Sequence, residues 1–308
     1  MAENLIAFFI IIAGGVFFKW KRPGGLEPDT ARHVINTTVI RFFLPAMCFK
    51  VIASSPIDAN TVLLPLSALI TILVCLAISF LTYCAVEKFT SVSKKEKGVF
   101  ILAASFGNVT FLGLPLLTGL YGEGAAKYVL LYDLLATTPL LWFAGAAIAS
   151  AYGKGEKASV KESFIIVAKL PPIWALIAGF AVNFAGFQLP SFLNKTLDLL
   201  SMPIVPMMIF SVGLALTIPK IKEIVVAVPA IIIKLCVSPL IAYGVVLLLG
   251  INGLALKSSV MEAAMPSMVL TLVLSSQFKL ENKLAALMIA LTTASSFITM
   301  PLISLLLK

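Results

Sequence analysis

Two short runs carry groups that could hold a ligand: Gly107-Asn108-Val109-Thr110 and Met265-Pro266-Ser267. Both interrupt long apolar segments, and they occupy corresponding places in the two halves of the chain. Gly permits a sharp backbone change and Pro removes a backbone donor, so helical hydrogen bonding should stop at each run. Unpaired N–H and C=O groups are tolerable at membrane depth only where the break is buried in protein or lines a polar cavity. Asn108 brings both a donor and an acceptor to its gap. The half-helices that follow, about Val109 to Thr118 and from near Ser267, should aim free N–H groups and partial positive charge at the breaks. Two such ends attract a carboxylate. Gly107, Asn108, Val109, Thr110, Met265, Pro266 and Ser267 are therefore the candidate substrate-binding residues. The blander reading is that Gly and Pro here only kink packed helices. Pro115 reads as such a kink.

Ionisable residues fall inside apolar segments, among them Lys50, Asp133, Lys234 and Glu262. Each costs about 2.5–3.5 kcal/mol or more at the bilayer centre, so each should face protein or water and have a partner. Glu262 stands one turn before Pro266, near the C-terminal end of a half-helix. That end carries partial negative charge and disfavours a carboxylate unless it is protonated or paired. Asp133 or Glu262 can serve as proton carrier and Lys234 as counter-ion, and Lys50 completes the coupling candidates. The plainer alternatives are a Glu262 reaching headgroups or water, an Asp133 in a structural ion pair, and Lys50 and Arg41 snorkelling to an interface.

The elements that position these groups must be membrane helices. The chain of 308 residues is 60% hydrophobic and 12% charged, with mean hydropathy +1.06. Apolar runs of spanning length recur from end to end, which leaves room for roughly ten spans, short loops and no sizeable soluble domain. The spans are expected near 4–20, 33–54, 61–86, 97–119, 124–151, 165–186, 193–217, 224–249, 255–277 and 281–307. The most polar connection, Tyr152 to Glu162, divides the chain into residues 1–151, a linker at 152–164 and residues 165–308. The fold class is an all-α membrane protein.

The net charge of +9 is spread over loops, which fits membrane sidedness better than nucleic-acid binding. Sixteen lysines and arginines fall in the odd-numbered connections; Lys127, Lys195, Lys257 and Lys308 fall on the other side. The odd-numbered loops are therefore expected to be cytoplasmic and both termini extracytoplasmic, with a first span in place of a cleaved signal peptide. The four cysteines lie in apolar runs with no CxxC pair, and His33 is the single histidine, so clustered metal ligands and Cys/His nucleophile pairs are missing.

The halves resemble each other. Phe43-Leu44-Pro45-Ala46-Met47 parallels Ile204-Val205-Pro206-Met207-Met208, and Leu64-Pro65 parallels Val228-Pro229. Glu123 and Glu281 open the fifth and tenth spans, and the same offset places Asn108 on Pro266. With five spans per half, the second half must enter the membrane from the opposite side, which makes an inverted repeat.

Gly107-Asn108-Val109-Thr110-Phe111-Leu112-Gly113-Leu114-Pro115 resembles the GN-x-x-FLGLP signature of the auxin efflux carrier family, which includes plant carriers and bacterial organic-acid permeases. The run from Leu170-Pro171-Pro172 through Gly179, Leu189-Pro190, Pro203 and Pro206 to Gly213-Leu214 resembles the family's sixth and seventh spans. The resemblance covers essentially the whole chain. It implies ten helices in two inverted five-helix repeats, with broken helices 4 and 9 crossing. It further implies a scaffold of helices 1, 2, 6 and 7 and a transport domain of helices 3–5 and 8–10, a fold similar to bile-acid symporters and sodium/proton antiporters. The long central loop of many plant members is missing, which points to the compact prokaryotic form.

The function this implies is secondary transport of small organic anions, auxin-like or malonate-like carboxylates, by alternating access of the elevator type. No cofactor is expected; coupling to protons or sodium is open, with protons or uncoupled facilitated flux favoured for want of a side-chain carboxylate cage. The expected partners are the small carboxylate, the lipid bilayer and a second copy docking through the scaffold helices, in a plasma or prokaryotic inner membrane. The alternatives are a channel, a sensor or an intramembrane enzyme. Tyr132-Asp133 resembles half of an aspartyl protease dyad, but a second Asp in a Gly-x-Gly-Asp setting is missing, and one carboxyl cannot share the proton a dyad needs. No G-x-x-x-x-G-K-[ST] run supports a primary pump.

Overall fold

Proline shapes these helices. Its ring crowds the carbonyl four residues earlier and supplies no N–H. At four places the helix widens to an i→i+5 turn that ends two residues before a proline: Val39–Phe43 before Pro45, Val109–Gly113 before Pro115, Asp133–Thr137 before Pro139, and Ile233–Val237 before Pro239. The Leu44, Thr138 and Ser238 N–H groups accordingly bond five residues back, to the carbonyls of Val39, Asp133 and Ile233. Widened turns of this kind recur at functional sites. Two of these carry Asp133 and Lys234.

A computed structural model of the chain describes residues 2–154, 157–215 and 224–307. Lys220, Lys222, Lys308, the end of the expected seventh span and residues 155–156 of the expected linker lie outside the described residues. The helices are α1 (Ala2–Lys21), α2 (Pro28–Ser54), α3 (Asn60–Val86), α4 (Lys94–Ser105), α5 (Val109–Tyr121), α6 (Ala125–Tyr152) and α7 (Val160–Ala168). They continue as α8 (Pro171–Phe184), α9 (Ser191–Ala215), α10 (Ala227–Leu248), α11 (Gly253–Ala263), α12 (Leu270–Gln277) and α13 (Asn282–Leu306).

Among the described residues, α2, α3, α6, α9, α10 and α13 are each long and apolar enough to cross a membrane, with a seventh span if α7 and α8 count as one. The fold is thus an all-helical membrane fold. Expected spans 4 and 9 fall short by this measure because both are broken. Their first pieces, α4 and α11, have 12 and 11 residues, against about 20 for a full span. Expected span 6 is interrupted as well: Leu170 is extended (φ −75°, ψ 116°), as a residue before proline prefers, and α8 starts at Pro171. The expected linker is partly helical, since α7 begins at Val160. Large apolar side chains such as Phe184, Leu240 and Leu248 are exposed, as lipid-facing residues are.

The chain forms two compact units, and each draws on both halves of the sequence. One comprises Met1–Asp58, Thr110–Leu130 and Ala168–Leu216. Here α1 packs on α9 through facing glycines: a Cβ on Gly15 would overlap the Phe210 carbonyl oxygen, and one on Gly213 would overlap that of Ile12. Small residues let membrane helices approach this closely. α8 packs on α2, and Asn183 Nδ2 donates to the carbonyls of Ile52, Ala53 and Ser55 at 2.8, 3.1 and 2.7 Å. One amide thereby satisfies the carbonyls that a helix C-terminus leaves unpaired. Ser211 Oγ donates to Asn36 Oδ1 at 2.6 Å.

The other unit comprises Ala59–Val109, Leu131–Val167 and Thr217–Lys308. Its core stacks Tyr83 on Phe100, with ring centroids 4.6 Å apart. The Tyr83 hydroxyl accepts from the Ala230 N–H at 3.2 Å, so the apolar core still satisfies its polar tip. Ser67 and Ser259 hydroxyls pair at 3.0 Å between α3 and α11. This unit holds both helix breaks.

Candidate functional site

The helix stops at Ser105 and, in the second half of the chain, at Ala263. The two breaks then pair with each other. Gly107 and Ser267 form a single antiparallel bridge. The Asn108 N–H donates to the Pro266 carbonyl at 2.7 Å, and the Met268 N–H donates to the Phe106 carbonyl at 2.9 Å. Backbone groups released by one break are thus satisfied by the other, which makes the irregular backbone tolerable at depth. Met265, Pro266, Ser267, Asn108 and Val109 are all buried.

Asn108 is 4% exposed, and its Oδ1 has no hydrogen-bond partner. A buried amide left so is costly and calls for a partner. The same amide can turn to present its Nδ2 donors instead. Immediately after it, α5 begins at Val109. Thr110, the fourth residue of the motif, begins the segment that belongs to the other unit.

The second break is more self-contained than the sequence reading expects. The helix resumes at Leu270 rather than near Ser267. The Thr271 and Leu272 N–H groups turn back onto the carbonyls of Met268 and Val269 at 3.1 Å each, so this end has fewer free donors. Ser267 is tied on both sides: its N–H donates to Thr292 Oγ1 at 3.0 Å, and its hydroxyl donates to the Ala103 carbonyl at 2.7 Å. That hydroxyl caps the open end of α4.

Gly107 is needed for space rather than for an unusual φ, since it is not among the positive-φ glycines. A Cβ there would lie 3.2 Å from both Cε and Nζ of Lys234. Lys234 is buried and donates to the Ala263 carbonyl at 2.6 Å, joined by the Ser238 hydroxyl at 2.9 Å. Its ammonium therefore stands at the negative end of α11, where a cation is favoured. The sequence reading makes Lys234 a counter-ion; its hydrogen bond goes to a helix-end carbonyl rather than to a carboxylate.

Glu262, 1% exposed, is not in headgroups or water. Neither of its carboxylate oxygens has a hydrogen-bond partner. A charge there is expensive unless something arrives to meet it. Asp133 is buried and accepts from the Thr138 hydroxyl at 2.9 Å, a contact made by the widened turn. Glu262 lies near enough to both Asp133 and Lys234 for its charge to interact with theirs. Lys50 belongs to the other unit, where it pairs with Asp198.

Sequence reading missed Thr292, Ser238 and Asp198. Thr292 lies in Thr292-Thr293-Ala294-Ser295-Ser296, a polar run inside an apolar helix, and Ser238 lies one turn beyond Lys234. Both were available as signals. Asp198 sits far from Lys50 in sequence, and nothing local marks it.

Comparison with known proteins agrees with this architecture. The family model described as "Membrane transport protein" matches residues 1–304. The chain is 30% identical to an "Uncharacterized transporter" of Methanocaldococcus jannaschii over 97% of its length and 96% of the relative. It is 26% identical to an "Uncharacterized transporter" of Methanothermobacter thermautotrophicus, with 99% and 98% covered. It is also 26% identical to a "Putative malonate transporter" of Rhizobium meliloti, over 89% of the chain and 86% of that protein. The chain belongs to the membrane transport protein family, the auxin-efflux-carrier-like group its Gly107–Pro115 motif resembles, and is a membrane transporter rather than an enzyme.

Proposed function

We propose that this protein is a secondary transporter of small organic anions, malonate-like dicarboxylates among them, working by alternating access. The single observation that carries the reading is the pairing of the two helix breaks around a buried Asn108, whose amide has Nδ2 donors for an anion to accept. Buried irregular backbone at a helix start is the arrangement that receives an anionic substrate in broken-helix transporters. The relative named for malonate supports a small carboxylate as the class.

In this reading helices 4 and 9 are the α4–α5 and α11–α12 pairs, crossing within two inverted five-helix repeats. Helices 1, 2, 6 and 7 act as scaffold and dimer interface. The remainder carries substrate across by an elevator motion. The lysine and arginine pattern places both termini outside, in a plasma or prokaryotic inner membrane. Glu262 and Asp133 are the groups through which protons, rather than sodium, couple to transport.

Calorimetric titration of the purified protein with malonate tests the substrate class. Saturable binding that weakens in Asn108→Ala supports it. Binding unchanged by that substitution removes Asn108 from the site.

A further inference from the structure

A cavity of about 830 Å³ lies wholly within the unit built from Met1–Asp58, Thr110–Leu130 and Ala168–Leu216. Its walls are largely apolar, among them Met47, Val51, Met202 and Val205. Three charged side chains line it: Lys50, Asp198 and Glu123. Lys50 is the one cation in the lining and is ion-paired to Asp198. The Lys50 and Asp198 side chains are 30% and 50% exposed, so neither is sealed in the protein interior. Ion pairs exposed to this extent contribute little net stability, because water solvates each partner nearly as well.

Lys50 lies in the apolar Leu44–Ser54 stretch, where a lysine is costly without access to water. The cavity supplies that access. A solute entering it meets two carboxylates and a single ammonium, and that ammonium is already engaged by Asp198. The ammonium has three donors, but the Asp198 carboxylate neutralises it and repels a second negative charge, so an anion gains most here by replacing that carboxylate. The released carboxylate has the open cavity to turn into.

We infer that the Lys50–Asp198 pair is a carboxylate-exchange site, at which a small carboxylate displaces Asp198 from Lys50 and is held in the cavity. This rests on the reading of the protein as a carrier of small carboxylates and adds a second binding step to it. Asp198 acts as a tethered competitor that keeps the site from holding its ligand too tightly.

The test exploits the opposite signs expected for the two partners. Malonate is titrated calorimetrically, at constant ionic strength, into wild type, Lys50→Gln, Asp198→Asn, the double variant and Lys50→Arg. Lys50→Gln should weaken binding about tenfold, the loss of one charge-assisted hydrogen bond. Asp198→Asn should tighten binding severalfold, because the competitor is gone. The gain should vanish in the double variant, and Lys50→Arg should bind like wild type. If Lys50→Gln does not fold, Asp198→Asn against Lys50→Arg still decides the sign. A purely structural pair would make both single variants bind more weakly or leave both unchanged, and either result overturns the inference. Wild-type binding that is lost in Asn108→Ala but unmoved by Lys50 and Asp198 changes leaves the transport reading intact and removes only this site. A wild type that binds no small carboxylate sinks both.

Discussion

The Asn108 N–H donates to the carbonyl of Pro266 at 2.7 Å, a bond between two positions the internal repeat places in correspondence. Each break therefore completes the backbone of the other. The Asn108 Oδ1 remains without a hydrogen-bond partner.

Asn108→Ala should weaken malonate binding by about 1.5–3 kcal/mol, the contribution of one hydrogen bond to a charged partner. The backbone bond to Pro266 does not depend on the side chain, so the fold should hold. Calorimetry for affinity and thermal unfolding for stability check the two halves of the statement. A variant that loses stability and affinity in parallel would assign Asn108 a structural role.

Gly107→Ala should destabilise the protein by about 1–3 kcal/mol, as overpacking does, because the added methyl group meets the held Lys234 side chain. Gly14→Ala is the control, since nothing lies within 4 Å of a Cβ there. Equal thermal midpoints for the two variants would contradict the contact.

Ser267→Ala should cost about 1 kcal/mol of stability through the lost bond to the Ala103 carbonyl. Anion binding should change little, because that hydroxyl is spent on capping α4. A large drop in affinity with unchanged stability would put Ser267 on the substrate instead.

Glu262→Gln or Asp133→Asn should abolish the pH dependence of transport while leaving anion binding at low pH intact. The amide keeps the shape of the neutral acid and cannot release a proton. Liposome uptake from about pH 5 to pH 8, the range over which perturbed carboxyl groups titrate, is the measurement. Wild-type pH profiles in both variants would make these carboxyls structural.

The sequence made the breaks legible because Gly-Asn and Met-Pro-Ser interrupt apolar segments at corresponding places in the two halves. It also marked Asp133, Lys234 and Glu262, since charge inside an apolar run is conspicuous. It was less informative where partners are remote. The caps that Ser267 and Lys234 provide, at Ala103 and Ala263, depend on tertiary packing with no local trace. The widened turns carry a local signal, a proline two residues on, but that signal fixes where the helix loosens and not which side chain it turns inward. The division into units does not follow the linear halves, because each unit takes segments from both.

The central claim, that this is a carrier of small carboxylates, is tested most directly by counterflow in proteoliposomes. Vesicles preloaded with unlabelled malonate and diluted into a trace of labelled malonate should accumulate label transiently above its equilibrium level, and Asn108→Ala should flatten that peak. Label that merely equilibrates at a rate indifferent to preloading would indicate a channel and contradict the account.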